Sequence, residues 1–213
     1  MLVSPARMGL RIDPSAFPKP VLDDVVTRTD ETHIVILSCG LFWCPDALYR
    51  AIQGVESVRP GYSGGTRDTA SFAAVSGGDT DHVFAVELRY APAKVTLGQL
   101  LQIFFSIAHD PTLRNRGGLE PARACRSVIY YTTPSQRAIA VDYIGRLKQA
   151  GVYDSLILTD VTPVTSFFEA EPLHHDYVAN HPRQAHVRTV SQPKLSKLRK
   201  LFAHLVKPAE SPM

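Results

Sequence analysis

The stretch from Ile34 to Val55 places the tightest limit on what this 213-residue chain can fold into. The β-branched run Ile34-Val35-Ile36-Leu37 predicts a buried strand over Thr32 to Ser38, and Leu48, Ala51, Ile52 and Val55 then recur at helical spacing. Between them lies Gly40-Leu41-Phe42-Trp43-Cys44, a turn at the carboxyl end of a strand and the amino end of a helix. Free backbone N–H groups and the helix dipole at such a turn favour a thiolate or a developing oxyanion. Cys39 and Cys44 flank the turn, and a thiol facing it has its pKa lowered. Pro45 fits the first helical turn, Asp46 suits its positive end, and Gly54 and Val55 are expected to close the helix.

The whole chain suits one domain with an ample core. A hydrophobic content of 45% with 20% charged residues is that of a soluble globular protein. A net charge of +3 gives no warrant for a nucleic-acid partner. Three cysteines with no zinc-type spacing point to neither a metal site nor a disulfide framework, so a reducing, cytoplasmic location is expected. No run approaches a membrane span, and Arg7, Arg11, Asp13 and the prolines break any signal-peptide core before Pro20.

Residues 1–30, with Pro5, Pro14, Pro18 and Pro20, read as an irregular arm over the surface or partly disordered. A single domain over residues 31–206 follows, then a loose tail over 207–213. Val58 to Gly65 reads as a glycine loop, without the strand-loop-helix and lysine of a phosphate cradle. Asp81 to Tyr90 alternates as a strand, with Val83 and Ala85 on one side and Phe84, Val86 and Leu88 on the other. Leu97 to Ala108 is an amphipathic helix, Val128 to Thr132 a strand, Pro134 to Ala150 a long helix closed by Gly151, and Leu156 to Val161 a strand. Glu171 and His174, three apart, can share a helical face, so that the carboxylate orients the imidazole. His174, His175 and His181 do not make a metal site, since adjacent histidines face apart on a helix. Lys194, Lys197, Arg199 and Lys200 form the solvated face of a last amphipathic helix.

Several of these stretches, in order from residue 17 to 203, resemble the methionine sulfoxide reductase A family. Gly40-Leu41-Phe42-Trp43-Cys44 with Asp46 is similar to its Gly-Cys-Phe-Trp-Gly/Cys motif and following acidic residue; Gly61-Tyr62-Ser63-Gly64-Gly65 to its Gly-Tyr-Ala-Gly-Gly loop; His82-Val83-Phe84 to its His-Ala-Glu. His109-Asp110-Pro111-Thr112, Glu120 to Ser127, and Phe168 to His174 follow its later motifs. The resemblance implies an α+β fold, a two-layer α/β sandwich with a ferredoxin-like core, and a pocket made by the central turn, the Tyr62 loop, the Glu120 loop and the His174 segment.

It also implies what is missing. The family mechanism uses a cysteine thiolate on sulfur, a glutamic acid to protonate oxygen, and two tyrosines to hold that oxygen. Those positions hold Leu41, Phe84, Tyr62 and Cys125, so that only one of the four groups is kept. A leucine side chain has no lone pair to attack with, and a phenyl ring has no proton to give. Three readings stay open. The expectation carried forward is a repurposed, cofactor-independent acid/base enzyme of cyclisation or isomerisation type. Glu120, Tyr62 and His174 would move protons on a small apolar or aromatic molecule held by Leu41, Phe42, Trp43, Phe84, Cys125, Asp46, His82 and Glu171. The second is a peptide-methionine (S)-S-oxide reductase in which Cys44 or Cys125 has become the nucleophile; the third is a pocket that binds without catalysis. None of the three needs a metal or cofactor.

Overall fold

The computed structural model describes residues 16–113 and 123–208. Its centre is a six-stranded sheet in the order β5-β4-β1-β3-β2-β6. The strands are β1 (His33–Cys39), β2 (Val55–Ser63), β3 (Val83–Tyr90), β4 (Ser127–Tyr131), β5 (Asp160–Pro163) and β6 (Phe168–Glu169). β1 lies antiparallel between β3 and β4, with Leu37 facing both Val86 and Ile129. The helix α1 (Trp43–Arg50) links β1 to β2, and α3 (Leu97–Ile103), continued as a π-helical turn to Ala108, runs between β3 and β4. The β-α-β-β-α-β order with strands placed 4-1-3-2 is the ferredoxin-like core, as expected.

Alternation along the strands separates two faces. Val35 and Leu37 of β1, Phe84, Val86, Leu88 and Tyr90 of β3, and Ile129 of β4 join the main core. That core also contains Leu48 and Ile52 of the α1 region, Leu100 and Leu101 of α3, Ile139 and Leu147 of α4 (Pro134–Gln149), and Leu198 of α6 (Gln192–Leu201). Ile36, Val83, Ala85, Val128 and Tyr130 make a smaller cluster on the other face, covered by Val164 and Phe167. Helices therefore layer one face of the sheet, and the β3 pattern read from sequence holds residue by residue.

The main differences from the sequence reading lie at α1, β2, β5 and Lys194, with β1 and β4 displaced by one residue and α4 one residue shorter. α1 stops at Arg50, because the chain reverses at Gly54, whose φ is +84° and where a Cβ would meet Lys94 at 2.7 Å. Val55 therefore begins β2 instead of ending the helix. The stretch Val58 to Ser63 is strand and not loop, paired with β3 on one side and, from Gly61, with β6 on the other. β5 starts at Asp160: Leu158 N–H bonds to Pro111 O outside the sheet, and Leu156 is exposed. Lys194 is buried and not on a solvated face; its Nζ donates to Ala108 O at 2.6 Å, and Lys197 Nζ donates to Ser106 O. Two cations thus meet the carbonyl end of the α3 segment, where the helix dipole favours them.

The described part of the arm is tied down. Phe17 is buried edge-on to Tyr153, and Tyr143 donates to Pro18 O. Asp23 and Asp24 carboxylates accept from the backbone N–H groups of Gly98 and Leu97, satisfying the start of α3. Among the described residues no helix is long and apolar enough to cross a membrane.

Candidate functional site

Gly40, at φ +109°, turns the chain from β1 into α1. Leu41, Phe42 and Cys44 are consequently buried and Trp43 half-buried, with Phe42 just ahead of the helix. The Phe42 ring is a hub: its centroid lies 5.2 Å from Phe84, 5.4 Å from His174, 5.9 Å from Tyr62 and 6.2 Å from Phe72. Phe84 and Cys125 are fully buried in the same core, and Phe84 N–H bonds to Ala124 O. Phe42, Trp43, Tyr62, Phe84 and His174 thus come together in one aromatic cluster, and Leu41 and Cys125 are buried in the same core.

Polar groups edge this apolar wall. The Tyr62 hydroxyl donates to Glu171 Oε2 at 2.6 Å, while Glu171 Oε1 accepts the Phe72 N–H at 2.9 Å. Burial opposes ionisation of Glu171, but these two donors outweigh it and hold the carboxyl below its ordinary range. Burial, reinforced by the Glu171 carboxylate, pushes the Tyr62 phenol far up, so it stays a neutral donor. Trp43 Nε1 donates to His174 Nδ1 at 3.3 Å, which leaves the His174 proton on Nε2, 3.9 Å from Glu171 Oε2. Burial lowers the His174 pKa, and the neutral imidazole suits that tautomer.

Other expected members take supporting positions. His82 accepts the Gly65 N–H on Nδ1 and its Nε2 reaches Thr66 O at 2.8 Å, so both ring nitrogens are spent on the turn after Tyr62. Gly65 is required there, since a Cβ would lie 2.6 Å from the His82 ring. Asp46 is buried with Oδ1 2.9 Å from Arg50 Nε, and Arg50 also meets Asp176; burial raises the Asp46 carboxyl to about 6 despite Arg50. Cys44 departs from expectation. Its thiol is packed toward Ser191 and Lys194, and burial pushes its pKa up, outweighing both neighbours. Glu120 lies outside the described residues. No cluster of metal-ligating side chains occurs among the described residues.

Three members were not named from sequence. Phe72 stacks near-parallel on Trp43 and lies 4.4 Å from His174, Tyr177 stacks on Trp43 at 3.7 Å, and His186 meets it edge-on. One signal existed: Ser71 before Phe72-Ala73-Ala74-Val75 is a helix N-cap, and its hydroxyl accepts the Ala74 N–H at the head of α2 (Phe72–Gly77).

Residues 33–205 match the peptide methionine sulfoxide reductase family. The chain belongs to that family. Within it, the chain is 40% identical over 211 residues to peptide methionine sulfoxide reductase MsrA 2 of Synechocystis, covering 94% of this chain and 99% of that one. It is 39% identical to MsrA of Chromobacterium violaceum over 171 residues, 80% of this chain and 97% of that one. Among solved structures, Mxr1 of Saccharomyces cerevisiae in reduced form superposes with a TM-score of 0.66 at 25% identity, covering 79% of this chain and 94% of that one. Methionine sulfoxide reductase A of Corynebacterium diphtheriae gives 0.60 at 26% identity, over 79% and 85%. The family and its α+β sandwich are therefore those inferred from the motifs.

Proposed function

We propose that this family member is a cofactor-independent acid/base enzyme acting on a small apolar or aromatic molecule, by a cyclisation or isomerisation step, in the cytoplasm. One observation carries the reading: the 2.6 Å Tyr62–Glu171 hydrogen bond edges a wall built from Leu41, Phe42 and Phe84. The wall offers no nucleophile and no acid where the family's cysteine and glutamate would fall. The Glu171 carboxylate, partly open to solvent and held ionised, is the proton acceptor. The His174 Nε2–H is a neutral donor beside it, placed to return a proton or to stabilise negative charge as it develops, while the single Tyr62 O–H holds the carboxylate in place. Trp43 fixes the imidazole, and Cys125 backs the wall. Glu120, on the loop that the resemblance assigns to the pocket, would be a further proton-moving group.

A second reading has a specific observation in its favour, the 40% identity to a relative named a peptide methionine sulfoxide reductase. It requires Cys44 or Cys125 to attack sulfur, and the burial of both thiols speaks against it.

Incubation with a metabolite mixture and no added thiol or cofactor tests the proposal. The expected result is a compound converted to a product of the same mass, or of that mass less water. Glu171→Gln is expected to lower kcat by ~10²–10⁴ while KM stays within a few-fold. A bound compound that is never converted would instead make the pocket a binding site.

A further inference from the structure

The stack on Trp43 is not used by the acid/base chemistry. Trp43, the only tryptophan of the chain, carries the Tyr177 ring at 3.7 Å and 4°. His181 stacks on Tyr177 in turn, at 4.1 Å and 20°. Tyr177 opens the four-residue helix α5 (Tyr177–Asn180), none of whose residues is buried. A helix that short has no stability of its own. The chain enters it through Asp176 at φ 50°, the one non-glycine residue with positive φ among those described. The Asp176 carboxylate meets Arg50 Nε at 3.1 Å, and both side chains are partly exposed, so the ion pair contributes little. Ring stacking on Trp43 seats this segment together with that ion pair and the approach of the Asp176 backbone to the Asp46 carboxylate.

We propose that α5 is a displaceable lid, and that Tyr177 occupies the place which a planar aromatic ring of the ligand takes on Trp43. The inference deepens the proposed function by naming the ligand class. It rests on that reading only in that the pocket admits an apolar or aromatic molecule; no turnover is required. The surroundings of Trp43 suit a flat ring in particular. Phe72 lies parallel to the indole within 11°, His186 presents an edge, and the bond from Trp43 Nε1 to His174 keeps the indole plane fixed. A tethered ring competes at an effective concentration of order millimolar, so removing it raises the affinity for a free one.

Calorimetric titration with p-cresol and with its saturated counterpart 4-methylcyclohexanol tests this on wild type, Tyr177→Ala and Tyr177→Leu. The p-cresol affinity is expected to rise about 2- to 10-fold in the variants, the range that one aromatic pair is worth. The gain should be absent for 4-methylcyclohexanol and abolished by adding Trp43→Leu. Acrylamide quenching of Trp43 fluorescence should increase in parallel, showing that the ring is uncovered. Should Tyr177→Ala fail to fold, Tyr177→Leu, whose narrower non-planar side chain cannot stack across the indole, carries the same expectation. Unchanged or weaker p-cresol binding with Trp43 uncovered would overturn the proposal, as would an equal gain for the saturated alcohol. A protein that shows the p-cresol gain but converts no metabolite fails the acid/base reading alone.

Discussion

Tyr62 and Glu171, 109 positions apart in the chain, are joined by a 2.6 Å hydrogen bond from the phenol to the carboxylate. β6 makes this possible by pairing Tyr62 with Phe168 at the edge of the sheet, so that the chain leaves the strand beside the tyrosine. Glu171 then accepts the Phe72 N–H as well, and one side chain ties together three segments of the site.

Replacing that carboxylate should weaken the fold as well as the chemistry. Glu171→Gln keeps the volume but loses the charge that strengthens both hydrogen bonds, a loss of about 1 kcal/mol for a partly exposed group. In a domain of this size that lowers Tm by about 2–4 °C. The folded carboxyl titrates below its unfolded value, so its contribution is present above the ordinary carboxylate range near pH ~4.3 and is lost as pH falls through the folded pKa. Thermal melts should show the wild-type advantage at pH 6 and its disappearance in stronger acid.

Asp46 carries the opposite sign. Its folded pKa of about 6 lies above the unfolded value of ~3.9, so between the two the folded state holds the extra proton. Stability from this group therefore rises as pH falls from about 7 toward 5. Denaturant midpoints across that window should rise for wild type relative to Asp46→Asn, whose curve lacks the titration.

Lys194 is expected to matter where a neighbouring lysine does not. Lys194→Met removes a buried cation from the carbonyl end of the α3 segment and leaves Ala108 O without its 2.6 Å donor, costing about 1–3 kcal/mol. The exposed Lys200→Met should stay within about 0.5 kcal/mol. Urea unfolding of the two variants makes the comparison.

Much of this was legible in the sequence. The β3 alternation, the Gly40 turn and the order of motifs specify the sheet and one end of it, because period-two burial and positive-φ glycine are local properties. Leu41, Tyr62, Phe84 and His174 could be brought together only through the family resemblance, since no local rule relates them. What stayed hidden was tertiary. Lys194 reads as part of a solvated basic face until the α3 segment supplies carbonyls for it. Cys44 reads as an activated thiol until burial outweighs the helix start. Phe72 and Tyr177 gain their roles only from the position of Trp43, which no periodicity in their own segments encodes.

The most direct test of the proposal that this pocket does not perform the family's redox step is turnover of methionine sulfoxide by the purified protein with dithiothreitol as reductant. With Leu41 at the attacking position, the rate should equal that of dithiothreitol alone, and Cys44→Ser and Cys125→Ser should change nothing. Thiol-dependent reduction well above that background, abolished by either cysteine substitution, would contradict the account.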